Sequence, residues 1–287
     1  MNKPGLFNRL LLGIKNYPWK FLIGVFIAYS VIWTILEPLL AFFPDFQSGG
    51  IFKYTLMVLL SIVVAASRII PETEVSFHLP GTNTNIQIFF GDLFAQEGDI
   101  AIAANEFFDS DMEVIKEFSL HGKFIQKYMP EPEAFTRQVD ESLARNNIRS
   151  RKVKRTDVRG NLLSRNQRYD IGTTAMINLE GKRFFFFALT RNPNGKGGEA
   201  NAADLWQSLT GLWQEIRYHR QSARLNIPLV GSGYSDIGLA DMQLIHLIIA
   251  SIAAASRQGS FTQEIRLVLW PDKIKTVNLE KVADAWR

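Results

Sequence analysis

Two apolar stretches that are typical of strands are each followed closely by a polar residue. Asn85 to Phe90 leads into Asp92 and Leu93, and Ile100 to Ala104 leads into Asn105. A carboxylate and an amide at the carboxyl ends of strands are well placed to hydrogen-bond polar groups in a crevice. Both residues are equally well explained as turn residues or helix caps. The pair therefore marks a candidate ligand site that needs support from elsewhere in the chain.

A glycine- and serine-rich loop follows a third strand-like stretch, Leu225 to Val230. The loop residues are Gly231, Ser232, Gly233, Tyr234 and Ser235. Loops of this kind bring backbone N–H groups and a helix N-terminus toward phosphate, although the glycines would serve equally well as turn formers. The loop is neither a GxxxxGK[ST] loop nor a GxGxxG fingerprint, because the next glycine comes only at Gly238.

A tryptophan, Trp270, follows a last apolar stretch and could stack on a base, with a place in the core as the alternative. The absence of Cys excludes disulfides and cysteine nucleophiles. The four His are widely spaced, and no two have the spacing that puts metal ligands on one helix face. We therefore predict no metal site and no cofactor.

Alternating strand and helix patterns after Pro71 predict one α/β domain that positions these residues. The predicted strands are Glu74 to Leu79, Asn85 to Phe90, Ile100 to Ala104, Thr173 to Asn178, Arg183 to Leu189, Leu225 to Val230 and Ile265 to Trp270. The predicted helices are Asp111 to Tyr128, Glu133 to Arg145, Ala202 to Gln221, Leu239 to Ser256 and Asn278 to Trp286. The run Phe184 to Phe187 is predicted to be a strand buried on both faces.

Two apolar stretches precede this domain, Phe21 to Phe43 and Ile51 to Ile70. Each has about the 20 residues that cross a bilayer as a helix, so residues 21–70 are predicted to form a transmembrane hairpin. A signal peptide is the alternative, but the first stretch is longer than a signal core and no small-x-small cleavage site follows it. Residues 1–20 show helical apolar spacing and are predicted to lie in the membrane interface. Residues 71–287 are predicted to form the soluble domain.

Basic residues predict the orientation of the hairpin. Lys and Arg residues precede the first stretch, Arg68 closes the second, and the connecting turn has none. Both termini are therefore expected in the cytoplasm, with the hairpin in the inner membrane. Between Arg145 and Arg168 there are nine Lys or Arg and one acid. We expect this segment to face anionic lipids. A phosphate-bearing ligand is the alternative, and nucleic acid is not expected because aromatic residues are not interleaved.

The order of these motifs resembles that of a macro domain. Gly91 to Phe94 matches the family's Gly-Asp-Ile-Thr, Ala103 to Asn105 matches the end of its Asn-Ala-Ala-Asn, and Pro228 to Tyr234 matches its Pro-x-x-Gly-x-Gly loop. The resemblance implies a mixed sheet flanked by helices that binds ADP-ribose or a related nucleotide. It implies that Asp92 holds the adenine amino group and Asn105 the distal ribose, with Leu93 also in the ligand-binding site. The diphosphate and distal ribose would be held by Gly231, Ser232, Gly233 and Tyr234, with Ser235 also in the ligand-binding site and Trp270 beside the adenine.

The chain departs from the family where hydrolysing members have a glycine-rich loop, because the bulky, acidic segment Glu106 to Asp111 takes its place. We therefore expect a binding protein and not an enzyme. The alternative is a membrane-tethered ADP-ribosyl or ADP-ribose-conjugate hydrolase in which Asp109 or Asp111 orients water.

A transmembrane hairpin joined to such a domain resembles the membrane-anchored macro-domain effectors of type II Thoeris antiphage defence. The resemblance implies a TIR-domain partner that makes a histidine conjugate of ADP-ribose. It also implies that the chain senses this signal, forms homo-oligomers and disrupts the inner membrane through its lipids. Under that interpretation, the carboxylates of Glu106, Asp109 and Asp111 are expected to meet the distal group of the signal.

Overall fold

The computed structural model describes residues 5–42, 50–129, 131–157, 159–219, 224–233, 237–259 and 262–287. The chain divides into two units, Met1–Thr73 and Glu74–Arg287. The first contains the helices α1 (Leu6–Asn16), α2 (Pro18–Phe42) and α3 (Gly50–Ile69). The predicted turn between the two apolar stretches covers residues 44–50, and all of it but the last residue lies outside the described residues.

Helices α2 and α3 pack closely through small residues. A Cβ atom added at Gly24 of α2 would lie 3.3 Å from the Cβ atom of Ala65 in α3. Trp33 and Tyr54 stack across the same pair of helices, with 6.1 Å between ring centroids. Close approach through small residues is typical of membrane helix pairs.

The outward faces of these helices are apolar. Residues Pro18–Pro38 and Ile51–Ile69 are long and apolar enough to cross a membrane, by length and composition. Their exposed side chains include Phe26, Ile35, Ile51, Phe52 and Val63. Helix α1 also exposes apolar residues, with Leu6 at 67% and Phe7 at 70%. Exposed apolar surface of this extent marks an interaction with a membrane or another protein.

The second unit contains a seven-stranded mixed sheet with the strand order β1-β2-β9-β8-β3-β7-β6. These strands are β1 (Glu74–His78), β2 (Asn85–Phe90), β3 (Asp99–Asn105), β6 (Thr174–Leu179), β7 (Lys182–Thr190), β8 (Arg224–Pro228) and β9 (Glu264–Leu269). The five inner strands run parallel, and β1 and β6 pair antiparallel at the two edges. The remaining strands, β4 (Arg151–Lys152) and β5 (Gln167–Arg168), form a small separate ribbon.

Helices cover both faces of the sheet. They are α4 (Leu120–Tyr128), α5 (Pro132–Arg145), α6 (Ala202–His219), α7 (Asp241–Arg257) and α8 (Leu279–Trp286). Buried residues of α6, α7 and α8 form one apolar core, and those of α4 and α5 form the other. Phe185 and Phe187 point into the first core, and Phe184 and Phe186 into the second. The predicted α/β fold and the predicted burial of this strand on both faces are confirmed.

The predicted helix Asp111 to Tyr128 is wrong over its first half. The helix begins only at Leu120, where the Ser119 side chain accepts a hydrogen bond from the Gly122 N–H at 3.0 Å. Gly122 also lies so close to the preceding loop that an added Cβ atom would be 2.3 Å from the Lys116 carbonyl oxygen. Residues 111–119 therefore form an irregular loop.

Candidate ligand-binding site

The parallel strands bring the predicted site residues to one edge of the sheet. Phe90 pairs with Leu269, so Gly91 and Trp270 leave neighbouring strands at the same edge. Asn105 pairs with Thr190 at the end of β3 and β7. A cavity of about 680 Å³ opens along this edge, within the range of small-molecule sites.

Six of the predicted ligand-binding residues line this cavity. They are Leu93, Asn105, Gly231, Ser232, Gly233 and Trp270. Asp92, Glu106, Asp109 and Asp111 are not among the described residues that line it. The predictions for Tyr234 and Ser235 lie outside the described residues.

The charged residues of the cavity wall are lysines. Lys116, Lys123 and Lys273 line it, and none of the described lining residues is acidic. Lys123 Nζ lies 4.6 Å from the centroid of the Trp270 ring, and Lys273 Nζ donates to Asp241 at 2.7 Å. The balance of charge favours an anionic ligand.

The Asn105 side chain is held in one orientation. Its Oδ1 accepts from the backbone N–H groups of Phe107 and Asp109, at 3.0 Å and 3.3 Å. Its Nδ2 donates to Asp109 Oδ2 at 2.8 Å. Because the amide nitrogen has two N–H groups, one donor has no partner among the described residues and can serve a ligand.

Asp109 accepts the hydrogen bond from Asn105 and is not among the described residues that line the cavity. The carboxylate is buried in a two-point ion pair with Arg155, with both N···O distances at 2.7 Å. The Arg155 guanidinium lies 3.8 Å from the centroid of the Phe107 ring. Asp109 is therefore a positioning residue in this structure, in contrast to its expected contact with the ligand.

Glu106 and Asp111 also differ from the expected arrangement. Glu106 is 1% exposed, and its Oε2 accepts from Arg168 Nε at 2.7 Å. The Asp111 carboxylate accepts from the Glu113 backbone N–H at 2.8 Å. Both carboxylates thus bond within the loop region, and neither residue is among the described residues that line the cavity, although Glu106 Oε1 is buried without a partner among the described residues.

The basic segment Arg145 to Arg168 is only partly a solvated surface. Arg155 and Arg165 are 3% and 8% exposed, against the expectation that the whole segment faces lipid. Arg165 donates to the Phe107 carbonyl and to Asp140. The buried arginines thus hold the loop that follows Asn105, whereas Arg149, Arg151, Lys152, Lys154 and Arg159 remain exposed.

Asp92 is a helix cap, which was the alternative to a ligand-binding role predicted from the sequence. Its Oδ1 accepts from the Phe94 backbone N–H at 3.0 Å and so caps the short 3₁₀-helix Leu93–Ala95. Trp270 is 46% exposed, so its predicted alternative place in the core is wrong.

The glycine-serine loop is shaped by Gly231, which has a φ of +89°. A Cβ atom added there would lie 2.6 Å from the Ile237 side chain. Ser232 Oγ donates to the Leu229 carbonyl at 3.1 Å. At Gly233 an added Cβ atom would have no neighbour within 4 Å among the described residues. The turn therefore requires Gly231, and Gly233 leaves space in front of the loop.

Sequence reasoning missed several polar residues of the cavity wall, among them the three lysines, His121 and Asn192. His121 packs against the rings of Phe135 and Phe186, and burial lowers its pKa from 6.5 to about 3. His121 Nε2 and Asn192 Oδ1 are buried without a hydrogen-bond partner among the described residues. No local pattern marks either residue, because both reach the cavity only through the packing of α4 and the end of β7. The described residues contain no group of His, Asp and Glu suited to a metal ion.

This fold and the position of its cavity define a macrodomain. A macrodomain of Oceanobacillus iheyensis with ADP shows the likeness, with a TM-score of 0.50 at 10% identity over 75% of this chain and 98% of that one. The same macrodomain with MES bound gives a TM-score of 0.50 at 11% identity over 74% of this chain and 97% of that one.

The chain belongs to the family of the macro domain of Thoeris protein ThsA, whose model matches residues 86–270. A relative, Thoeris protein ThsA of Bacillus amyloliquefaciens (strain Y2), is 21% identical over 235 residues, which cover 79% of this chain and 75% of the relative.

Proposed function

We propose that this chain is a membrane-anchored sensor of an ADP-ribose-derived nucleotide in antiphage defence. The observation that carries the proposal is the cavity at the carboxyl edge of the parallel strands. It brings together the Asn105 amide, the turn at Gly231 and three lysines, with no acid among the described lining residues. This set of groups suits a ligand with a diphosphate and a sugar.

The proposed ligand is an ADP-ribose derivative, such as its histidine conjugate, made by a TIR-domain partner that need not bind the chain stably. Family membership supports this part, as does the macrodomain of Oceanobacillus iheyensis that was solved with ADP. The two apolar helices are proposed to span the inner membrane with both termini in the cytoplasm. Ligand binding would favour a homo-oligomer only through a higher affinity for the assembled state. The hairpins brought together in this way would then disrupt the membrane.

We propose that the chain does not hydrolyse its ligand. Asp109, the best candidate for orienting water at the distal ribose, has both carboxylate oxygens bound to Arg155. A carboxylate held in a buried ion pair is poorly placed to take a proton from water, because protonation would break the pair. This supports a binding role for the cavity.

The test is calorimetric titration of the full chain in detergent with ADP-ribose, its histidine conjugate and NAD, followed by mass analysis of the recovered nucleotides. We expect the conjugate to bind and to be recovered intact. Cleavage of the conjugate would show a tethered hydrolase. Absence of binding by all three nucleotides would overturn the proposed function.

A further inference from the structure

Asn192 is a polar residue of the cavity wall whose side-chain oxygen is left without a bond inside the described part of the protein. It is 3% exposed and follows β7 by two positions. Its Oδ1 is buried and has no hydrogen-bond partner among the described residues. A buried amide oxygen without a hydrogen bond is unfavourable, so a ligand group that pairs with it is favoured.

Backbone and side-chain bonds place Asn192 at the same end of the cavity as Asn105. Arg155 Nη2 donates to the Asn192 carbonyl at 2.6 Å and to Asp109 Oδ2 at 2.7 Å. The same Asp109 oxygen accepts from Asn105 Nδ2 at 2.8 Å. One guanidinium therefore fixes both asparagine positions. The χ2 torsion of an Asn side chain is broad, so the Asn192 amide can change its orientation when a ligand binds.

The buried Arg155 beside the two asparagines is fully used by the protein. Arg155 donates through Nε, Nη1 and Nη2 to Asp109 and to the carbonyl groups of Asn192, Pro193 and Arg165. These bonds occupy its five N–H donors, so none is left for an anion. No acid among the described lining residues would attract a cation. The group that fits is therefore uncharged.

We propose that Asn192 determines specificity in a subsite next to Asn105, where its amide oxygen accepts a hydrogen bond from an uncharged donor of the ligand. A hydroxyl of the distal sugar, or a neutral N–H or O–H group joined to it, has this chemistry. The inference rests on the proposed function, since it assigns one part of the same nucleotide. It replaces the expected carboxylates of Glu106, Asp109 and Asp111 by an amide.

The test compares ADP-ribose with ADP, which lacks the distal sugar, on the full chain in detergent. Asn192→Leu keeps a similar volume, and the wild-type Oδ1 forms no hydrogen bond to the described residues that the change would remove. We expect the variant to bind ADP-ribose about tenfold more weakly and to retain its affinity for ADP, because one hydrogen bond to a buried acceptor is lost. Asn194→Leu, at an exposed position in the same loop, is the matched control.

The possible outcomes separate the two proposals. Unchanged ADP-ribose affinity in Asn192→Leu, or an equal loss for ADP and ADP-ribose, would overturn the role of Asn192 alone. A wild-type chain that binds none of ADP-ribose, its histidine conjugate and NAD would overturn the proposed function as well. If Asn192→Leu does not fold, Asn192→Ser and Asn192→Ala replace it. The serine hydroxyl can still accept a hydrogen bond, so Asn192→Ser should bind ADP-ribose more tightly than Asn192→Ala, and equal affinities would contradict the proposal.

Discussion

Arg155 binds both carboxylate oxygens of Asp109, and the two side chains are 1% and 2% exposed. The pair joins the segment between β4 and β5 to the loop that follows Asn105. Asp109 in turn accepts from the Asn105 amide. A residue of the basic segment thus sets the orientation of a residue on the cavity wall.

Replacing Asp109 should destabilise the soluble unit. Asp109→Asn keeps the shape but leaves the buried Arg155 without a counter-charge, which costs about 3–5 kcal/mol. We expect the thermal midpoint of the full chain in detergent, followed by tryptophan fluorescence, to fall by about 10 °C. Asp170→Asn, which changes an exposed acid outside this ion pair, should leave the midpoint unchanged and serves as the control. A stable Asp109→Asn variant would show that the ion pair is not needed.

Asn105→Ala should weaken nucleotide binding. The change removes the remaining amide donor and frees the backbone N–H groups of Phe107 and Asp109. We expect calorimetry to show a loss of ADP-ribose affinity of about tenfold or more. Asn178→Ala, on the exposed side of β6, should bind like the wild type. If Asn105→Ala and Asn178→Ala bound ADP-ribose equally well, with unchanged thermal midpoints, Asn105 would not contribute to the binding site.

The two glycines of the loop should respond differently to alanine. Gly231→Ala places a side chain at positive φ and against Ile237, so it should cost about 1–2 kcal/mol of stability. Gly233→Ala meets no described neighbour and should leave stability unchanged. Because Gly233 lines the cavity, its methyl group should still weaken ADP-ribose binding. Thermal unfolding and calorimetry on the same samples separate these effects. Tight binding by Gly233→Ala would place the ligand away from the loop.

His121 should make the fold sensitive to acid. Burial lowers the folded-state pKa to about 3, whereas the unfolded chain has the ordinary 6.5. Between these values the unfolded state binds the extra proton, so stability falls as the pH falls, by about 1.4 kcal/mol per unit for this one group. His121→Phe should lose less stability than the wild type across this pH window. His78→Phe, at an exposed position on β1, should keep the wild-type dependence. If the free energy of unfolding fell equally with pH in all three proteins, His121 would not be the source of the acid sensitivity.

The strands and their polar ends could be predicted from the sequence because apolar runs and turn residues are local signals. The loop before α4 could not, since the cap at Ser119 and the close approach at Gly122 depend on tertiary packing. The ion pair between Asp109 and Arg155 also could not be predicted, because 46 positions separate the two residues in the sequence. An acid in a loop and an arginine in a basic run each look solvated when taken alone. Their burial in one ion pair depends on the folded arrangement.

The most direct test of the whole account is dye release from anionic lipid vesicles that contain the full chain. We expect the histidine conjugate of ADP-ribose to trigger release by the wild type. The Asn105→Ala variant should insert into the vesicles equally well but release no dye. The reason is that the nucleotide is proposed to act on the membrane helices only by binding in the cavity. Release without nucleotide, or equal release by Asn105→Ala, would contradict ligand control of the membrane unit.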